Sequence, residues 1–135
     1  MQTATNKQLL RNVFDETAKG NGKPFVDALA ENVVWRIIGT TSWSKTFTGK
    51  GSVVKGLLVP LNIQFEGNNT IVAHRILCDG DYAVVEARGR NRTKPGKVYE
   101  NEYCWVIEMR DGKMASIVEY ADTALMESAL APLQA

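Results

Sequence analysis

Glu119, Glu86 and Arg88 are the residues whose types and spacing could carry acid–base chemistry. Each sits in a run that reads as a β-strand, where residues two apart share a face. Glu86 and Arg88 are two apart, and so are Asn101, Tyr103 and Trp105. A carboxylate withdrawn among aromatic rings has its pKa raised and can exchange a proton near neutral pH. A second carboxylate nearby pushes the same way, and an arginine pushes back. Tyr103 and Asn101 could donate hydrogen bonds to a developing oxyanion. This is the chemistry of proton abstraction beside a carbonyl, or of acid-assisted addition of water. Glu119, Glu86 and Arg88 are therefore the candidate catalytic residues. Asn101, Tyr103, Trp105, Trp43 and His74 are candidate ligand contacts. Plainer readings stand beside these. Glu86 and Arg88 also suit a solvated strand face with Ala83, Val85 and Ala87 turned inward. Glu119 also suits a simple ion pair with Arg88, and Trp43 a loop anchor. His74, in line with Val72, Ile76 and Cys78, also suits a core position.

The elements that must position these residues fall into two halves. The first is mostly helical. Thr5-x-x-Gln8 fits a capping box, and Leu9, Leu10, Val13, Phe14 and Thr17 follow at helical spacing. Gly20 and Gly22 stop this helix, and Pro24 opens a short second one with Phe25, Ala28 and Leu29 as its apolar stripe. Val33 to Ile38 is β-branched and aromatic, as a strand requires. Gly39 to Gly49 reads as a polar loop holding Trp43 and Phe47. A third helix is expected from Gly51-Ser52, burying Val54, Leu57, Leu58 and Leu61, with Pro60 ending or kinking it. The second half reads as strands: Thr70 to Cys78, Tyr82 to about Arg92, Lys97 to Glu108 and Lys113 to Ala121. Asp122 or Thr123 can cap a final helix. Helices followed by a meander imply an α+β fold of one domain, residues 1–135, with a curved, largely antiparallel sheet shaped as a cone around a pocket.

The turn between the last two strands sets which faces meet. A two-residue Asp111-Gly112 loop would put Cys104 opposite Glu119. A three-residue loop, Arg110 to Gly112, would put Tyr103 opposite Glu119. The second is expected, because it places the carboxylate on the aromatic face.

Composition narrows the function classes. The 135 residues are 44% hydrophobic and 23% charged, with a formal net charge of +1. That balance supplies no field to recruit nucleic acid or an anionic membrane. The basic residues Arg88, Arg90, Arg92, Lys94 and Lys97 alternate without interleaved aromatics, which fits a solvated hairpin tip. No apolar run approaches the ~20 residues of a membrane span. The first residues lack the basic and apolar regions of a signal peptide, so a cytoplasmic location is expected. Cys78 and Cys104 are the only cysteines and read as buried thiols. With His74 the single histidine, no metal site is expected.

Several segments carry a family resemblance: Ala30 to Trp35, Gly49-Lys50-Gly51, Cys78 to Glu86, Gly96 to Tyr103, Asp111-Gly112-Lys113 and Val118 to Thr123. In these and in its element order the chain resembles the nuclear transport factor two-like superfamily, in its SnoaL-like and ketosteroid-isomerase-like branch. The resemblance implies a cone-shaped α+β fold, α-α-β-α-β-β-β-β with a short C-terminal helix. It also implies a homodimer packed through the outer sheet face, and a first strand that lines the cavity, which makes Trp35 a further ligand contact. The superfamily holds isomerases, cyclases, hydrolases and non-catalytic modules, so the fold alone does not select among them. In the similar limonene-epoxide hydrolases, a catalytic Asp on the last strand corresponds to Glu119. Their Arg-x-Asp pair falls on Glu86-Ala87-Arg88 with the charges reversed. Trp35 and Ile37 replace their water-holding Tyr and Asn. The base and the Tyr of ketosteroid isomerases have no counterpart here. The expectation is a cofactor-independent isomerase, cyclase or hydrolase acting on a small, mostly apolar molecule. A binding domain without turnover, or a protein-interaction module, is the alternative.

Overall fold

The computed structural model describes residues 2–134. Helix α1 (Gln2–Thr17) is followed by α2 (Lys23–Asp27), β1 (Leu29–Ile37) and β2 (Thr46–Thr48). Then α3 (Lys50–Val53), a π-helical turn (Val54–Leu58) and α4 (Val59–Asn62) run on as one rod. Strands β3 (Ile71–Asp79), β4 (Tyr82–Gly89), β5 (Asn91–Arg92), β6 (Val98–Tyr99), β7 (Glu102–Arg110) and β8 (Lys113–Ala121) complete the β half before α5 (Thr123–Ala129). Six strands form one curved sheet in the order β2-β1-β8-β7-β4-β3, and β5 and β6 form a separate ribbon. The β1–β8 pairing is parallel and the others are antiparallel, so the sheet is mixed. Among the described residues, no helix is long and apolar enough to cross a membrane.

The core lies between the concave face of this sheet and the helices. Leu10, Val13 and Phe14 of α1 are buried at the spacing of one helical face. Thr17 Oγ1 donates to the Ile71 carbonyl at 2.8 Å, pinning the end of α1 to the start of β3. On β7, Tyr103, Trp105, Ile107 and Met109 are buried while their neighbours are less so, the period-two pattern of a sheet covered on one side.

Local chemistry explains where the elements depart from expectation. Helix α1 begins at Gln2, so Thr5 lies inside it and no capping box forms. Leu29 starts β1 rather than ending α2. Thr46-Phe47-Thr48 is a short strand on β1, not loop, with Phe47 opposite Trp35. Pro60 does not end its helix. It has no N–H to give, and the turn before it widens so that Val59 N–H reaches the Val54 carbonyl. The expected strand from Tyr82 breaks after Gly89, where Asn91 Oδ1 accepts from Thr70 N–H at 2.9 Å and draws the chain out of the sheet. The strand expected from Lys97 is likewise split by Asn101 into β6 and β7.

The last hairpin differs from both expected registers. Asp111 and Gly112 form a two-residue turn, with φ of 52° and 75°, and Arg110 pairs with Lys113. Both positive φ values match a type I′ turn. That turn alone would set Cys104 opposite Glu119 and aim the carboxylate outward. Glu108 pairs with Ser116 and Met109 with Met114, which leaves Ala115 as an extra, unpaired residue. This β-bulge slips β8 by one place. Glu119 therefore returns to the aromatic face, opposite Trp105 rather than Tyr103.

Candidate functional site

Glu119 sits in the middle of the concave face. On one side it is paired with Trp105 of β7, and on the other with Ile37 of β1. Trp35, two residues before Ile37, shares this face. Glu119 is 6% exposed, and Trp105 Nε1 donates to its Oε1 at 2.9 Å. Burial pushes its pKa up from the usual 4.5 to about 7, against the lowering effect of the Trp105 and Trp35 indoles. Desolvation outweighs the hydrogen bonding because neither indole carries a charge to match the carboxylate.

The carboxylate faces a cavity of about 450 Å³ between the sheet and helices α1, α2 and α3–α4. This lies within the range of small-molecule sites. Its aromatic wall is ordered. Tyr103 and Trp105 stack at 4.7 Å with planes 14° apart, and Phe14 stacks on Trp105 at 5.7 Å. Phe25 packs against Trp35 at 5.8 Å. Behind this wall, Ala87 lies opposite Tyr103 and Ala83 opposite Ile107. Small residues there leave room for large ones on β7. Tyr103 has its pKa raised well above 10, first by burial and then by the neighbouring Tyr99 and Glu119 charges, so its hydroxyl keeps its proton. Tyr99 is pushed up to about 12 by burial.

Of the residues singled out from the sequence, the cavity gathers Glu119, Trp35, Trp43, Tyr103 and Trp105. Trp43 walls the cavity and also donates from Nε1 to the Ala131 carbonyl at 3.0 Å, so the loop-anchor reading holds as well. Two expectations are corrected by strand parity, and a third by a bulge. Glu86 lies on the convex face, where Arg75 Nε meets its Oε1 at 2.8 Å. Arg88 lies on that face too, near Glu100 at 3.5 Å and Glu102 at 3.8 Å. Ala83, Val85 and Ala87 take the inward positions, as the plainer reading had it. Neither Glu86 nor Arg88 pairs with Glu119. His74 is exposed at a second bulge: Ala73 pairs with Ala87 and Arg75 with Glu86, leaving His74 without a place in the ladder.

Asn101 is fully buried but does not line the cavity. Its Oδ1 accepts from Asp122 N–H at 3.0 Å, and its Nδ2 donates to Tyr99 Oη at 2.9 Å. It joins the start of β7 to the corner where Asp122 caps α5, accepting from Leu125 N–H at 3.2 Å. Sequence reasoning assigned Phe14 and Phe25 only to helical stripes and gave Tyr99, Met126 and Leu130 no site role, yet all five line the cavity. For Tyr99 the signal was present, since it shares the alternation of Tyr103 and Trp105.

The SnoaL-like domain family matches residues 10–117. The chain belongs to that family. Known structures share the fold of this SnoaL-like domain. An NTF2-like protein from Burkholderia xenovorans is 24% identical, with 97% of this chain and 99% of that one covered and a TM-score of 0.73. An NTF2-like protein from Burkholderia thailandensis is 18% identical over 98% and 100% of the chains, with a TM-score of 0.79. TerC, co-crystallised with polyporic acid, is 16% identical over 92% and 96%, with a TM-score of 0.75. At these identities the likeness establishes the architecture. Comparison with curated proteins finds no match.

Proposed function

We propose that this SnoaL-like domain is a small-molecule enzyme of the isomerase, cyclase or hydrolase kind. Glu119 takes and returns a proton inside the apolar cavity. The observation that carries this reading is a single carboxyl group, buried among aromatic rings, with a pKa pushed up to about 7. At neutral pH both its forms are populated, so the same group can act as base and then as acid. The stacked wall of Tyr103, Trp105 and Phe14 would hold a mostly apolar ligand by its faces. The Tyr103 hydroxyl, held protonated, would donate to oxygen charge developing on that ligand. Exchange of a proton at one carboxyl group asks for no metal or cofactor. The crystallisation of the similar TerC with polyporic acid supports an organic small molecule as the ligand.

The test is to capture compounds from a metabolite extract on the purified protein, identify those retained by mass spectrometry, and follow their conversion. Wild type should convert at least one retained compound, and Glu119→Gln should bind it while losing conversion by about a hundredfold or more. Retention without conversion by wild type would leave a binding domain, and undiminished conversion by the variant would remove Glu119 from the chemistry.

We also infer that two copies pair through the convex face. Leu77, Val84, Val106 and Val118 are cross-strand partners in sequence, forming an aliphatic row over four strands. Leu77 is 53% exposed. A row of this kind gains by being covered. Sedimentation should show a dimer for wild type and a monomer for Val106→Glu; a monomeric wild type overturns the pairing.

A further inference from the structure

Helix α5 ends at Ala129, and Leu130 after it turns extended, with φ of −96° and ψ of 146°. The helix therefore does not fix where the Leu130 side chain points. Three side chains from other parts of the chain tie this segment down. Gln64, just beyond α4, accepts from Ala131 N–H through Oε1 at 2.8 Å. Trp43 Nε1 donates to the carbonyl of the same residue at 3.0 Å. Ser42 Oγ accepts from Leu133 N–H at 2.9 Å. Gln64 is itself held: its Nε2 donates to the Pro60 carbonyl at 3.2 Å, which leaves Oε1 as the acceptor. Its backbone bonds the Leu61 carbonyl and Lys94 N–H. Ala131 is exposed, yet both polar groups of its backbone are gripped by side chains. What the grip presses inward is the neighbouring Leu130, which is 6% exposed and lines the cavity beside Met126 and Trp43.

We infer that Leu130 sets the length of ligand the cavity admits, and that Gln64 is the positioning residue that holds it in place. This rests on the cavity being a small-molecule site, as proposed above. The lining is exposed at Lys23, Val59, Asn62 and Asn68, which mark an entrance, and buried at Trp43, Met126 and Leu130, which mark a closed end. Met126 lies inside α5 and is carried by that capped helix. Leu130 has no such support, and the grip on Ala131 supplies it. A wall of this kind has no polar group to offer, so it selects by volume. Each added carbon gains contact until the ligand reaches the wall, and the next one clashes with a close-packed interior. Leu130 also belongs to a segment remote in sequence from Glu119, so the length limit and the proton-carrying group are set by different residues.

The probes are N-phenyl-1-naphthylamine, whose fluorescence rises in apolar sites, and the 4-alkylphenols from ethyl to octyl, which displace it. With wild type, affinity should climb with chain length and then drop at the first member too long for the cavity. That member should bind Leu130→Ala about tenfold tighter than wild type, while the shorter ones gain nothing. Gln64→Leu has no acceptor for Ala131 N–H and should move the limit the same way; Gln64→Glu, which keeps one, should restore it. A readout in unaltered protein guards against misfolding of the variants. The Leu130 methyl signals should shift with the longest phenol that binds and stay in place with 4-ethylphenol. Methyl signals that ignore both phenols, no length limit in wild type, or a limit unchanged in Leu130→Ala would overturn the role of Leu130 and leave the cavity reading intact. A limit unchanged in Gln64→Leu would overturn the role of Gln64 alone. Failure of wild type to bind any of these probes would overturn the cavity reading and this one together.

Discussion

Glu119 and Glu86 are carboxylates on strands β8 and β4 of the same sheet, separated only by β7, and they lead different lives. Glu119 points to the concave face, loses its water, and is left with uncharged indoles for company. Glu86 points to the convex face and meets the Arg75 guanidinium at 2.8 Å. Residue type is identical, and both are on strands with aliphatic neighbours. What differs is parity, the odd or even place in the strand, and with it the medium and the partner. The concave face keeps Glu119 among uncharged rings, and the convex face pairs its charges with one another.

Removing an aromatic ring should separate the two faces most strongly. Trp105→Ala should cost about 3–5 kcal/mol of unfolding free energy, since it empties the centre of a stacked column. The adjacent convex residue should matter far less: Cys104→Ala should cost under about 1 kcal/mol. Urea denaturation of both variants checks this, and equal losses would mean the two faces are packed alike.

Next in size is the pH dependence that Glu119 imposes. Folded Glu119 keeps its proton up to about 7, whereas the unfolded chain releases it near 4.5. The stability it contributes is therefore complete below about 4.5 and is lost as pH rises through about 7. The loss is on the order of 3 kcal/mol. Glu119→Gln should flatten this part of the stability profile between about pH 4 and pH 8, making the variant more stable than wild type at the alkaline end. Denaturation at a series of pH values is the measurement, and an unchanged slope would place the carboxyl group in water.

A smaller effect sharpens the balance around the acid. Trp105→Phe keeps a ring in the column but removes the N–H that Oε1 accepts. The carboxyl pKa should rise further, because burial stays and a lowering contact goes. Carbon-13 titration of the glutamate carboxyl signals would follow it. The smallest effect belongs to the convex pair. Arg75→Ala or Glu86→Gln should change stability by less than about 0.5 kcal/mol and leave the Glu119 titration where it was, since the Arg75 and Glu86 side chains are 63% and 39% exposed.

Much of this architecture was legible in the chain. The aromatic alternation from Tyr99 through Ile107 announced the concave face, and Asp122 announced the cap of α5. The facing of Glu119 was reached through the wrong loop: the turn holds two residues, and Ala115 supplies the displacement that a third turn residue was expected to supply. A bulge of this kind leaves no mark in composition, because alanine suits a paired and an unpaired place alike. His74 was lost to the same cause, as periodicity presumes an unbroken ladder and β3 breaks at that residue. Glu86 and Arg88 were ambiguous because Ala83, Val85 and Ala87 are small enough to sit behind an aromatic wall or to pave an empty surface.

The π-helical turn at Val54–Leu58 has a consequence for how such a site could diversify. Val54, Leu57 and Leu58 border the hollow from a rod that shares no strand with the proton-carrying wall. Under the proposed function, gaining or losing one residue in that widened turn would alter the girth of the molecule admitted and leave Glu119 undisturbed. Under that reading, ligand size and proton exchange would be governed by separate stretches of chain, free to drift independently over evolutionary time.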